Sequence, residues 1–267
     1  MNTKKIFMTQ MQSLMVLLCL FFNYFASAEA KYTENFSKLS RQEETKSLNI
    51  GLTIVATGRY IQFVNPLIES AQKYFCKNHH VTYFVFTDQN YQTPENTICI
   101  FQKKLGWPYD SMMRYHIYHA NKEIFEEQDY IFAIDADMLF VGDVGDEIIS
   151  DHTAAVHQFS RGPYETNPQS KAAIGPQEGK YYYCGGIYGG AYDRFFDICK
   201  TNMENIDDDL SRGIIAIWHD ESHWNRYCID HEPPVILPRG YWCPDYEEKG
   251  YTPKILALSK NHAFYRE

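Results

Sequence analysis

An α/β fold with a largely parallel sheet is the class this sequence predicts, and three observations carry the prediction. Runs rich in β-branched and aromatic residues recur at residues 50–56, 80–88 and 130–134. Segments of helical character, residues 66–76 and 112–125, separate them. The resulting alternation of strand, helix, strand, helix, strand is the pattern of an α/β sheet, whose ligands bind beyond the carboxyl ends of the strands.

Taken in order, the chain opens with Lys4 and Lys5 and an uncharged stretch, residues 6–28, with its apolar heart at residues 14–22. Small residues at Ala26, Ser27 and Ala28 suit a cleavage site, so residues 1–28 read as a secretory signal peptide. Left uncut, the same stretch is long enough, at about 1.5 Å per residue, to span a bilayer as a signal anchor. Both topologies carry the remainder across a membrane. One gives a single-pass type II protein with a lumenal or extracytoplasmic domain, the other a secreted or periplasmic one. Residues 29–47 are polar and read as a stem, with a glycosylation-type acceptor at Asn35-Phe36-Ser37, and a folded domain is expected over 48–267.

Within that domain the first strand ends at Thr57-Gly58, a breaker pair. After the third strand, Gly, Pro and Tyr dominate residues 159–190. A helix is expected around residues 192–204, followed by an apolar run at 213–218 and a stretch rich in acids and histidines at 219–223. No internal repeat and no linker interrupts the sequence, so one domain with two functional halves is expected. The 25 basic and 34 acidic side chains give a net charge of -9, and without residues 1–28 the balance is 23 to 34, or -11. Such a chain does not present the broad positive field of a nucleic-acid binder, although a local basic pocket for a phosphate is compatible with it. The cysteines beyond the apolar run, Cys76, Cys99, Cys184, Cys199, Cys228 and Cys243, include no C-x-x-C pair, and both disulfides and free buried thiols remain open.

Three local features carry chemistry. Asp135-Ala136-Asp137 follows the third strand, and two hard oxygen ligands with open positions suit a Mg²⁺ or Mn²⁺ that also holds a phosphate, though an acidic turn gives the same string. Trp218-His219-Asp220-Glu221-Ser222-His223-Trp224-Asn225 spaces its histidines as in H-E-x-x-H but misplaces the glutamate, which argues against a zinc hydrolase. No G-x-S-x-G surrounds any serine. Two carboxylates and two imidazoles beside two indoles suit a carbohydrate site, and they equally suit a polar helix N-terminus. The block from Tyr181 to Gly190 lacks the dinucleotide glycine spacing and reads as a strand or turn that a ligand approaches closely, or as a tight turn.

In this order, and together with Tyr83-Phe84-Val85-Phe86-Thr87-Asp88, Ser111-Met112 with Arg114, Pro168-Gln169-Ser170, Glu178-Gly179 and Lys260-Asn261-His262, these stretches resemble glycosyltransferase family 6 from about Asn49 onward. The resemblance implies a GT-A fold, in which a Rossmann-like nucleotide-binding mixed sheet carries an acceptor-binding half. It implies retaining transfer of GalNAc or Gal from UDP-GalNAc or UDP-Gal, in α-1,3 linkage, to a galactoside-containing glycan acceptor. On the donor side it points to Val55, Ala56, Thr57, Tyr60, Arg114, Asp135, Ala136, Asp137, Lys260 and Arg266, with Asp135 and Asp137 holding Mn²⁺ or another divalent cation. Cys184, Gly185 and Gly186 would flank the sugar's C2 substituent, the glycine at 186 leaving room for an acetamido group. Glu221 would be the catalytic residue, and His157, Trp218, Asp220, Glu221 and Asp245 would face the acceptor. A cysteine at 184 and a short loop over residues 159–167 depart from the pattern. A non-catalytic carbohydrate-binding protein on the same fold is the alternative.

Overall fold

The computed structural model describes residues 47–90, 92–157, 161–246 and 250–267, so the segment 1–28, the stem up to residue 46 and Asn35 lie outside the described residues. Among the described residues no helix is long and apolar enough to cross a membrane. The predicted strands form as β1 (Asn49–Val55), β2 (His80–Thr87) and β4 (Tyr130–Asp135), and β1 lies between the other two, parallel to both. Their nearly continuous apolar runs follow from burial on both faces. Ile50, Leu52 and Ile54 pack toward α1 (Val64–Tyr74), while Phe84, Phe86 and Phe125 meet Tyr115, Tyr118, Phe195 and Trp224 on the other face.

The sheet has seven strands in the order β3-β2-β1-β4-β7-β6-β8 and is mixed rather than largely parallel. Strand β3 (Thr97–Phe101), which the sequence reading passed over, edges the sheet beside β2, and its exposed Ile98 and Phe101 break the inward pattern that marks a strand. Strand β7 (Tyr183–Ala191) runs antiparallel to β4 and to β6 (His152–Val156), while β8 (Val235–Leu237) lies parallel to β6. A small second sheet, β5 (Met138–Phe140), β10 (Ile255–Ala257) and β9 (Cys243–Pro244), takes up the chain just after Asp137.

The single helix expected over 112–125 is instead three short pieces: α2 (Tyr109–Met112), α3 (Arg114–Ala120) and a 3₁₀ turn, Lys122–Phe125. Met113, at φ -87° and ψ 11°, separates the first two, and the Asn121 side-chain amide ends α3 by donating to the Ile117 carbonyl at 2.8 Å. The last long helices are α4 (Tyr192–Ser211), longer than predicted, and α5 (Asp220–Asp230). All six described cysteines are free thiols, and only Cys99 is exposed.

The Tyr/Gly block is strand rather than turn, and Gly189 shows why it needs glycine. A Cβ there would lie 2.2 Å from the Ile131 carbonyl oxygen of β4. Gly189→Ala is therefore expected to destabilise the fold by about 1–3 kcal/mol or more, because a backbone neighbour cannot swing aside. An unchanged urea midpoint would refute this.

Candidate active site

Topology brings the chemistry to one edge of the sheet. The carboxyl ends of β1 and β4 lie level, with Val55 opposite Asp135. Because β7 is antiparallel to β4, its first residues meet the last of β4, with Ile187 opposite Ile134. β6 ends at that same edge, with Val156 opposite Tyr183, and β8 follows it. A cleft of about 230 Å³ opens there, lined among others by Val55, Thr57, Tyr60, Arg114, Asp135, Ala136, Asp137, Lys260 and Arg266. Of the donor-side residues expected from sequence, only Ala56 is absent from the lining. It is fully buried, and its N–H donates to the Phe86 carbonyl at 2.8 Å, so it belongs to the sheet behind the cleft.

Arg114 is the hub. Its guanidinium reaches Asp135 at 2.8 Å and Asp220 at 3.0 Å, and donates to the Gly185 carbonyl at 3.2 Å. Burial works against its charge, but the facing Asp220 and Asp135 outweigh burial and hold the guanidinium protonated. Asp137 pairs with Lys260, whose ammonium burial makes more acidic than usual. The donor set fits a hard divalent cation shared with a phosphate. Of the three carboxylates that line the cleft, Asp110 is tied to the backbone N–H groups of Leu105 and Gly106, which leaves Asp135 and Asp137 as the candidate ligands, and no cluster of three or more His, Cys, Asp or Glu side chains that could hold a metal occurs among the described residues.

Asp220 and Glu221 occupy the first turn of α5, where the helix dipole favours negative charge. His219, just before them, adopts φ 53° and ψ -122°, a strained conformation for a residue with a side chain. Asn225 locks α5 to β7. Its amide accepts from Tyr183 N–H and donates to the Tyr183 carbonyl, both at 2.8 Å. Glu221 is thereby set against the start of β7, accepting from the Gly185 N–H and from the Tyr182 hydroxyl, each at 2.6 Å. Burial pushes the Glu221 carboxyl up to about 7 against the pull of those two donors, and burial likewise lifts Asp220 to about 6 against Arg114.

Residues not predicted as site residues complete the cleft: Lys104, Trp107, Asp110, Ser111, His262 and Tyr265. Asp110 accepts from Thr57 Oγ1 at 3.2 Å and from the N–H groups of Leu105 and Gly106 at 2.7 and 3.1 Å, tying the loop that carries Trp107 to the end of β1. The C-terminal helix α6 (His262–Arg266) closes the cleft from above. Tyr265 packs on Tyr60 and Phe63, and Arg266 lies 3.4 Å over the Trp107 ring. Ser111 and His262 stand in stretches that carried the family resemblance without being assigned a site role, whereas Lys104, Trp107, Asp110 and Tyr265 had no local sequence signal.

On the acceptor-side positions, Trp218 is 45% exposed, and His157 stacks on Trp242 with centroids 4.1 Å apart. Asp245 accepts from Ser259, through its N–H at 3.0 Å and its hydroxyl at 2.5 Å. Trp242, missed in the sequence, also fills the space beside Gly186, where a Cβ would lie 2.9 Å from the indole nitrogen. The room that a glycine leaves at 186 is thus taken by an indole edge. His219 and His223 serve separate surroundings: the first packs edge-on against Trp107, and the second is buried 3.6 Å from Asp209.

Fold and cleft together define an α/β protein whose sheet end carries a cleft lined by the carboxylates Asp110, Asp135 and Asp137 and the cationic Arg114, Lys260 and Arg266. The chain belongs to glycosyltransferase family 6, whose model matches residues 5–266. It is 34% identical over 256 residues to histo-blood group ABO system transferase 1 of Rattus norvegicus, covering 88% of this chain and 73% of that protein. It is 32% identical over 233 residues to the globoside alpha-1,3-N-acetylgalactosaminyltransferase 1 of Homo sapiens, covering 80% and 66%. Against the alpha-1,3-galactosyltransferase 2 of Homo sapiens the figures are 28% over 249 residues, 85% and 73%.

Proposed function

We propose that this chain is a retaining hexosyltransferase of GT-A fold that moves GalNAc or Gal from its UDP derivative, in α-1,3 linkage, to a galactoside-containing glycan acceptor. The N-terminal segment 1–28 would place the catalytic domain, residues 48–267, beyond a membrane. The observation that carries the reading is the joint made by Arg114, which links Asp135 at the cleft to Asp220 and Gly185 beside Glu221. One rigid unit therefore spans the diphosphate end of the cleft and the carboxylate that would face the sugar.

In this reading Val55, Thr57 and Tyr60 pack against the uridine, and Asp135 and Asp137 hold Mn²⁺ or another divalent cation. When bound, such an ion neutralises charge on the departing diphosphate. Lys260 and Arg266 stabilise the same charge where it develops, Lys260 exchanging Asp137 for phosphate oxygens. Glu221, fixed at both oxygens, presents negative charge to an anomeric carbon that becomes cationic. Asp220 orients sugar hydroxyls, and Cys184, Gly185 and Gly186 bound the C2 substituent. UDP-GalNAc is the favoured donor on the glycine at 186, with the condition that Trp242 shifts to admit an acetamido group. His157, Trp218 and Asp245 receive the acceptor.

A donor and acceptor screen on the purified protein tests this. UDP is expected to be released only when Mn²⁺, a UDP-sugar and a galactoside are all present, and Asp137→Ala is expected to abolish the release. Full activity in EDTA would remove the metal assignment, and glycan binding without UDP release would favour the non-catalytic alternative.

A further inference from the structure

Tyr182, just before β7, is 2% exposed and is fixed from several sides. Its carbonyl accepts from the His157 N–H at 2.7 Å, and its ring packs edge-on against His157 and tilted against Tyr164, both with centroids 5.5 Å apart. The Tyr164 hydroxyl in turn donates to the carbonyl of the preceding residue, Tyr181, at 2.7 Å. Gly162 supplies the space for the ring. A Cβ there would lie 2.2 Å from Cγ and 2.3 Å from Cδ2 of Tyr182. The outcome of all this packing is one contact, the 2.6 Å hydrogen bond from the Tyr182 hydroxyl to Glu221 Oε1.

Glu221 needs such a partner because it sits among groups that oppose its charge. Burial disfavours the carboxylate, and so do the neighbouring charges of Asp220 on its own helix and Asp135 at the end of β4. Arg114 is committed to those two carboxylates. Of the other groups nearby, burial raises the Cys184 thiol above its ordinary range, and burial lowers His157 to about 4, so near neutral pH both are uncharged. Burial and the facing Glu221 charge raise the Tyr182 phenol, which stays protonated and able to donate. The Gly185 N–H and the Tyr182 hydroxyl are thus the two hydrogen-bond donors that favour ionised Glu221, and only the second is a side chain that mutation can remove.

We propose that Tyr182 is a positioning residue for sugar transfer: its hydroxyl holds Glu221 in place and ionised for the donor sugar, and Gly162 is the opening that lets the ring reach it. This rests on the reading of Glu221 as the catalytic carboxylate. Tyr182 touches the carboxylate and not the cleft, so removing its hydroxyl acts on turnover and leaves donor binding as it was.

The test is steady-state kinetics of the full-length chain, over acid to alkaline pH, with the UDP-sugar and acceptor that the wild type uses. A hydrogen bond to a charged group is worth enough that Tyr182→Phe is expected to lower kcat about ten- to a hundredfold. Donor KM stays unchanged, and the acid limb of the kcat profile moves to higher pH, because the carboxylate has lost a donor that favoured its charge. Gly162→Ala, which displaces the ring, moves the limb the same way. Incorporating 3-fluorotyrosine at position 182, with a more acidic hydroxyl and an unaltered fold, moves it the opposite way. A fall in kcat without movement of the limb, a rise in KM alone, or a wild-type profile overturns the proposal. If Tyr182→Phe does not fold, the fluorotyrosine profile decides. Glu221→Gln separates the two levels: wild-type kcat in that variant would overturn the reading of Glu221 itself, whereas its inactivity beside a wild-type Tyr182→Phe profile would overturn only the role of Tyr182.

Discussion

Glu221→Gln is expected to lower kcat by about three orders of magnitude or more, the scale lost when a preorganised charge is removed from the reacting centre. The replacement has the same shape but carries an amide NH₂ on one side. Both groups facing the carboxylate, the Tyr182 hydroxyl and the Gly185 N–H, are donors at 2.6 Å, so one of them loses its acceptor. On the proposed reading the active form is the ionised carboxylate, and activity is expected to fall as pH drops through about 7, the position to which burial raises Glu221. The same shift has a stability consequence of opposite sense. A carboxyl raised in the folded state stabilises the fold below its unfolded value of 4.5, and that stability is lost as pH rises through about 7. Glutamine has no such loss, so the melting temperature of the inactive variant is expected to gain on that of the wild type as pH rises from acid to alkaline, offset at every pH by the donor left without an acceptor. Wild-type turnover, or a melting-temperature difference that does not move in the variant's favour as pH rises, would contradict this account.

Arg114→Met is expected to cost about 3–5 kcal/mol of folding stability and to remove activity, because it strips the shared cation from two carboxylates. Asp220 is nearly buried and Asp135 is 35% exposed at its side chain, so the larger part of the penalty falls on Asp220. Asp220 stands at about 6, raised by burial against the pull of Arg114, and without Arg114 it moves further up. The stability of the variant is therefore lost as pH rises through that higher value, and acid conditions narrow its deficit against the wild type. Arg114→Lys keeps a charge but not the planar fork that serves Asp135, Asp220 and the Gly185 carbonyl together, so it is expected to fall between the two. Urea denaturation at acid and alkaline pH measures the stability, and UDP release measures the activity. A midpoint equal to the wild type at alkaline pH would show that Arg114 is not the hub described.

Strands β1, β2 and β4 were legible because burial on both faces forces apolar runs that no helix period interrupts, and the family was legible because its motifs keep their order along the chain. Asp135-Ala136-Asp137 and Asp220-Glu221 could be singled out because each pair of reactive groups is local in sequence. The broken helix at Met113, the edge strand β3 and the position of Ala56 behind the cleft were not legible, since helical propensity and apolar content say nothing of which neighbour a side chain meets.

The sequence by itself determined the strand cores, the charge balance and the identity of the carboxylates. Tertiary structure alone decided what those carboxylates touch. The antiparallel course of β7 lays its first residues against the end of β4, and this joins Tyr182, Gly185 and Glu221 to Arg114 and Asp135 from distant parts of the chain. The pairing of strand ends is a long-range contact with no local pattern of its own, so the partners of Glu221 exist only in the folded sheet.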